Sequence, residues 1–320
     1  MVTTFTTVAK FILSGEHYVV TGTPCLAVPA PCFRARISLY EDESVRGIET
    51  HCEFDTEQTY EADEIAEYEQ TLSRIIAHAL ELYGLDPKTA GMRFVMRSSI
   101  PPSQGAGSSS AVCQAVVGVL AKHFFARSEM PNDYLYCMGK MLETWFHGRV
   151  SGVDNAVIAS GKPICFIPND SCSVIAMHEP FYFVVGSTGA RQSPSPYEAV
   201  REIRTNAPVA YLMGSKDAAT CVAEMFGTLY KGEHQRAGEL MLSYHRMMKS
   251  MSLSTEDCDK AVNTAMTSGA FGAKITGAGR GGFVIALAPV SCIEKVQRAW
   301  IELGLKNVRS FCIGDDYRMG

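Results

Sequence analysis

The stretch Ile100-Pro101-Pro102-Ser103-Gln104-Gly105-Ala106-Gly107-Ser108-Ser109-Ser110-Ala111 is where the reading of this chain begins. Two prolines end a strand, since proline cannot donate to a ladder. Small residues follow, and three serines then open an apolar helix. Glycines let the backbone come close to an anion. The free N–H groups of a first helical turn, with the helix dipole behind them, favour negative charge. A serine can cap the helix, and one hydroxyl can ligate a metal ion. No Lys-Ser/Thr pair follows the glycines, so this is not a Walker-type loop. Alone, the stretch is as consistent with a flexible turn and an N-cap as with a phosphate cradle.

Outward from this loop, strand-like and helix-like patches alternate, which predicts a mixed α/β or α+β chain. On the C-terminal side, Val112, Ala115, Val116, Val119, Leu120 and Phe124 recur at helical spacing over 111–125. A second helix is expected over 133–145, with Leu135, Met138, Met141, Leu142 and Trp145 on its apolar stripe and Gly148 as its stop. Strands are expected around 26–39, 92–96, 182–185, 283–287 and 308–313. Ile293, Val296, Trp300 and Leu303 mark the inner face of a late helix. Glu179-Pro180 interrupts two apolar runs, which predicts two domains, 1–179 and 180–320.

Three further segments carry chemistry. In 9–20, an apolar run that contains Lys10 delivers a tight Gly15-Glu16-His17, either converging on a small polar ligand or forming a surface turn. In 143–155, Glu143 lies late on a helix and Asp154 follows a glycine turn. Two such carboxylates can face one cleft, one holding a divalent cation and one taking a proton; the alternative makes Asp154 a helix N-cap. In 274–282, four glycines in six residues precede an apolar strand, which implies close backbone packing or a hairpin.

Bulk properties narrow the class. The chain has 320 residues, a net charge of −5 and no dense Lys/Arg block, which argues against nucleic acid or a membrane surface as partner. No apolar run reaches the ~18 residues of a membrane span, and the start lacks the pattern of a signal peptide. The eleven scattered cysteines form no C-x-x-C pair, the pattern of reduced, mostly buried thiols. Cytoplasm is the expected compartment, with a peroxisome-like organelle as the alternative. The chain ends in Tyr317-Arg318-Met319-Gly320, not in Ser-Lys-Leu.

Taken in order and spacing, the four segments resemble the GHMP kinase superfamily over roughly residues 7–287. The first family motif is similar to Ala9–Val20, the phosphate loop to Pro101–Ala111 and the third motif to Thr276–Gly282. Ser151-Gly152-Val153-Asp154-Asn155-Ala156-Val157 is the most discriminating piece, and it resembles the mevalonate-phosphorylating branch. The resemblance implies the two-domain GHMP kinase fold, with a βαβ N-terminal domain of unusual topology and a ferredoxin-like C-terminal domain. It implies ATP- and Mg²⁺-dependent phosphorylation of the 5-hydroxyl of mevalonate, with ATP and mevalonate as partners and a homodimer left open. By residue, it implies Asp154 as the catalytic base and Lys10 as the lysine that accompanies it. Ser109 and Glu143 match the Mg²⁺ ligands. Lys10, Ser98, Ser103, Gln104, Gly105, Ala106, Gly107, Ser108 and Ser109 match the nucleotide-binding positions. Glu16, His17, Asp154 and Thr276 match positions for the acceptor.

The sequence also departs from the family pattern. Val8-Ala9 stand where a Pro-Gly usually precedes the lysine, Ser103-Gln104 replace Gly-Ala, Ala106 replaces Leu and Ser110 replaces Ala. Arg280 replaces a glycine, and either reaches a phosphate or points into solvent. Two rivals follow. One is another reaction on the same scaffold, such as phosphomevalonate phosphorylation, with Arg191 and Arg280 as candidate extra cations. The other is a nucleotide sensor without turnover.

Overall fold

The computed structural model describes residues 2–125, 130–189, 196–277 and 279–314, without the side chains of 146, 196, 197 and 199. Arg191, Ala278 and the terminal 317–320 lie outside the described residues. The chain forms two compact units: Met1–Ala9, Phe33–Pro101 and Gly107–Ala159 in the first, and Lys10–Cys32, Pro102–Ala106 and Ser160–Gly320 in the second. Strands β1 (Val2–Ser14) and β2 (Cys25–Glu41) contribute residues to both.

In the first unit, β4 (Met92–Ser98) pairs in parallel with β3 (Ile48–Phe54) and antiparallel with the C-terminal half of β2. The parallel pair needs a crossover, which α1 (Ala62–Leu82) supplies. Alternation along β4 buries Met92, Phe94, Met96 and Ser98 and turns Arg93 and Arg97 outward, opposite Glu49 and Glu53 in the register. The buried face meets Leu72, Ile75 and Ile76 of α1 and Val116, Val117 and Leu120 of α2 (Ser108–Phe125) in one core.

The α2 helix is buried nearly all round from Ser110 to Ala121, not along one stripe, and only its end is exposed, including Phe124. Helix α3 (Asn132–His147) ends at Gly148, in positive φ, as expected. Its buried stripe is Leu135 and Leu142, with Met138 partly buried, whereas Met141 and Trp145 are exposed. Trp145 falls at i+7 from the partly buried Met138 but is exposed, near the end of the helix. It stacks on His78 instead, with ring centroids 4.3 Å apart. Helix α4 (Val153–Ser160) completes the unit.

In the second unit the N-terminal end of β2 pairs with β5 (Ile164–Ile167), which pairs with β6 (Ser171–Val174). Pro29 and Pro31 fall between this register and the one β2 makes with β4, where their missing donors break neither. A separate antiparallel sheet has the order β10-β7-β9-β8, from β7 (Phe181–Ser187), β8 (Gly272–Ile275), β9 (Phe283–Leu287) and β10 (Lys306–Ile313). Helices α5 (Pro196–Asn206), α6 (Pro208–Lys231), α7 (His234–Ser250) and α8 (Glu256–Thr267) separate β7 from β8, and α9 (Ile293–Glu302) separates β9 from β10. This order, with helices between the first and second strands and between the third and fourth, is the ferredoxin-like pattern. Phe283–Leu287 is buried throughout, as its unbroken apolar run predicts. On α9, Val296 and Trp300 are buried and Leu303, past the helix end, is exposed. The Trp300 indole N–H donates to the Ala261 carbonyl at 2.8 Å.

All eleven thiols are free. Only Cys25, Cys52, Cys113 and Cys258 are fully buried, so burial is less general among them than the composition suggests. Among the described residues no helix is long and apolar enough to cross a membrane.

Candidate functional site

Two polar groups stand out, one in each unit. In the first unit α2 begins where the glycine loop ends, and its first turn presents Ser108, Ser109 and Ser110. The Glu143 side chain, on α3 and only 5% exposed, reaches this turn. Its Oε1 accepts from Ser109 Oγ at 2.6 Å, and its Oε2 accepts from Ser110 Oγ at 2.7 Å and from Asn155 Nδ2 at 2.6 Å. Gln114 fixes Asn155 in turn by donating to its backbone carbonyl at 2.7 Å.

Gly139 makes this possible. A Cβ there would lie 2.5 Å from Gln114 Cγ and 3.1 Å from Asn155 Oδ1, so only glycine lets α3 approach this closely. Three neutral donors satisfy the carboxylate without cancelling its charge. Ser109 Oγ and Glu143 Oε1 are thus neighbouring hard oxygen donors. That chemistry fits Mg²⁺, which takes one or two protein oxygens and completes its shell with phosphate and water. Ser110, the position where the family usually has Ala, adds a hydrogen bond to the same carboxylate.

Asp154 lies in the first turn of α4, inside the helix and not at its cap, and is partly exposed. The preceding Gly152 has φ 89° and approaches Tyr136 and Lys140 of α3. Ser98 is buried, and its hydroxyl accepts from Ile100 N at 3.1 Å, so it shapes the turn that leads into the loop.

In the second unit, Lys10 N donates to Ala106 O at 3.0 Å and Lys10 Nζ lies 3.4 Å from Gly105 O. Ser103, Gly105 and Gly107 have φ of 60°, 92° and 77°, so the loop needs the left-handed region three times. The Gln104 side chain accepts from Ser187 Oγ on β7. This residue, which replaces a small one in the family pattern, ties the loop to the sheet.

Further along β1, Thr276 Oγ accepts from Ile12 N and donates to Ile12 O, both at 3.0 Å. Its hydroxyl is committed to the backbone. Arg280 neither reaches into solvent alone nor stands unengaged: its Nη2 pairs with Glu202 Oε2 at 3.2 Å and its N donates to Leu253 O. Residues 276–282 connect the antiparallel β8 and β9, so the glycine cluster is a hairpin loop that also packs closely. A Cβ on Gly277 would sit 3.6 Å from Gly105 O, and one on Gly279 2.4 Å from Leu253 O.

Glu16 and His17 are buried, not solvated, and His17 adopts φ 64°. Glu16 is held by a residue to which the sequence alone assigned no role. Lys274, on β8, donates to Glu16 Oε1 and to Ile12 O, and Tyr244 OH on α7 donates to Glu16 O at 2.9 Å. Gly238 and Gly272 face each other where α7 crosses β8, and a Cβ on Gly272 would fall 2.0 Å from Gly238 O. That contact brings Tyr244 to within 5.3 Å of Lys274 Nζ, ring centroid to nitrogen. Burial pushes the Glu16 carboxyl up, and the Lys274 ammonium pulls it back down. A sequence signal for Lys274 did exist: a lone lysine inside Gly272-Ala273-Lys274-Ile275, whose neighbours are all small or apolar.

The described residues show no cluster of three or more His, Cys, Asp or Glu that could hold a metal.

Comparison with known proteins finds chains that are similar over most of the length. "GHMP kinases N terminal domain" matches residues 70–162 and "GHMP kinases C terminal" matches residues 225–305. A mevalonate kinase of Pyrococcus abyssi is 30% identical over 303 residues, covering 88% of this chain and 87% of that protein. The crystal structure of L. major mevalonate kinase in complex with R-mevalonate superposes with a TM-score of 0.85 at 23% identity, over 98% of this chain and 97% of that one. The Methanococcus jannaschii mevalonate kinase superposes with a TM-score of 0.78 at 22% identity, over 98% of both chains. The structural likeness is one of fold.

Proposed function

The chain belongs to the mevalonate kinase branch of the GHMP kinases, and we propose that it transfers the γ-phosphoryl group of ATP to the 5-hydroxyl of mevalonate. It is an ATP-dependent phosphotransferase with an alcohol as acceptor, and its proposed location is the cytoplasm.

One observation carries the reading: Glu143 bonded to Ser109 and Ser110 at the start of α2. The glycine loop and the helix N-terminus attract anionic oxygens. A charged carboxylate at the same place would repel them, and a divalent cation on Ser109 and Glu143 reconciles the two. Ser109 and Glu143 would hold such a cation, which would supply positive charge against the phosphates.

The remaining roles belong to the chain. Backbone N–H groups of Ser103–Ser109 hold phosphate oxygens, and Ser98 fixes the entry to that loop. Asp154 accepts the proton of the acceptor hydroxyl as it attacks. The Lys10 ammonium stabilises charge on the attacking oxygen. Glu16 and His17 orient the acceptor, and Thr276 holds β1 so that Lys10 and Glu16 keep their places. Phosphoryl transfer has a loose transition state, so positioning and charge stabilisation carry the catalysis.

The test is ADP release with mevalonate, phosphomevalonate, galactose and homoserine in parallel. Mevalonate alone should support turnover. Faster turnover of any other acceptor, or none of mevalonate, would overturn the assignment.

A further inference from the structure

Lys274 and Glu16 form an ion pair with side-chain exposures of 0% and 1%. Removing two charges from water is costly, and hydrophobic residues of the same volume are often as stable. The pair is also uneven. The ammonium has three donors: one goes to Glu16 Oε1, one to Ile12 O, and the Tyr244 ring faces the nitrogen. The carboxylate uses Oε1, but Oε2 is buried and accepts no hydrogen bond from another described residue. Buried acceptors without a donor are rare in folded chains, and each calls for an explanation. A backbone carbonyl could have anchored Lys274 alone, so a strut does not require a carboxylate whose second oxygen meets no donor from another described residue.

We propose that Lys274 is a positioning residue that holds Glu16 as a charged acceptor, with Oε2 presented to a hydroxyl of the acceptor substrate other than the one phosphorylated. The proposal rests on reading that substrate as mevalonate, which carries its second hydroxyl on C3. It makes the site selective for a dihydroxy acid over a mono-alcohol. A hydrogen bond to a charged group in a buried site corresponds to about 10–100-fold in discrimination.

The titratable groups around Glu16 come from four elements: Lys10 on β1, Lys274 on β8, Tyr244 on α7 and Cys221 on α6. Burial pushes the Tyr244 hydroxyl and the Cys221 thiol up, away from neutral pH. His245, also on α7 and paired with Asp259, is pushed down by burial.

The experiment compares kcat/KM for mevalonate with that for 5-hydroxy-3-methylpentanoate, which lacks the C3 hydroxyl, from pH 5 to 9. The wild-type enzyme should prefer mevalonate by about tenfold or more. In Lys274→Met the carboxyl loses the ammonium that lowers its pKa. The rising acid limb of kcat/KM for mevalonate should then move to higher pH by about one unit or more, with KM rather than kcat affected at high pH. Glu16→Gln/Lys274→Met buries no charge. It should bring the preference close to one and show no limb shifted from its wild-type position.

A preference that survives in the double variant would put a water on Oε2 and overturn the proposal. So would a Lys274→Met enzyme with the wild-type profile. If Lys274→Met does not fold, Lys274→Gln, which keeps donors without charge, should show the same shifted limb; an unshifted one overturns the proposal. Wild-type enzyme inactive on mevalonate would instead remove the functional reading, and this proposal with it.

Discussion

Glu143 and Glu16 are two buried carboxylates that the fold satisfies in opposite ways. Glu143 is held by two hydroxyls and an amide, all neutral. Glu16 is held by an ammonium. Neutral donors leave a net negative charge that attracts a cation, whereas an ammonium cancels most of the field and leaves geometry. The first arrangement suits a metal–nucleotide end, and the second suits recognition of an uncharged hydroxyl. Two copies of one residue type are thus given different chemistry by what surrounds them.

The largest effect should come from a third carboxylate, against which the other two are measured. Asp154→Asn should lower kcat by about 10²–10⁴ with ATP binding retained. Near wild-type turnover would remove Asp154 as the base. Glu143→Gln keeps the shape and the hydrogen-bonding reach but removes the charge. The midpoint of Mg²⁺-dependent ATP binding, followed by calorimetry, should move to higher Mg²⁺ by about tenfold or more. An unchanged midpoint would make Glu143 a structural acceptor and end the contrast with Glu16. Gly139→Ala tests the support under Glu143: the added methyl collides with Gln114, and overpacking of this kind costs about 1–3 kcal/mol. Its melting temperature should fall, and recovery by Gln114→Ala in the same chain would locate the clash. Thr276→Val probes the support near Glu16. It removes the hydroxyl that serves both Ile12 N and Ile12 O and should cost about 1–2 kcal/mol by denaturant unfolding. An equal loss of ATP affinity would mean that Thr276 acts beyond β1.

The sequence made the first carboxylate legible and the second only by half. The family resemblance pairs Ser109 with Glu143, and they meet at 2.6 Å. Their support was hidden, because Gly139 reads as a weak spot in a helix until α2 is known to press on it. Glu16 was legible as a position, but its partner lies 258 residues away, and no local period links a turn to a distant strand. The same limit explains α1. Four acidic residues among Ala62–Glu69 dilute its apolar spacing, and only the sheet beneath reveals which face is inward. The α3 stripe fails at Met141 and Trp145 because a hydrophobic residue can cover a neighbour's surface without entering the core.

The two tryptophans of the chain fall one in each unit. Trp300 is sealed in the second unit and hydrogen-bonded to a carbonyl, while Trp145 lies on the surface of the first against His78. Their emission should therefore differ in colour: a blue band that persists until the ferredoxin-like sheet opens, and a red band from the exposed indole. With no label attached, the molecule carries its own optical means of following the melting of one half apart from the other.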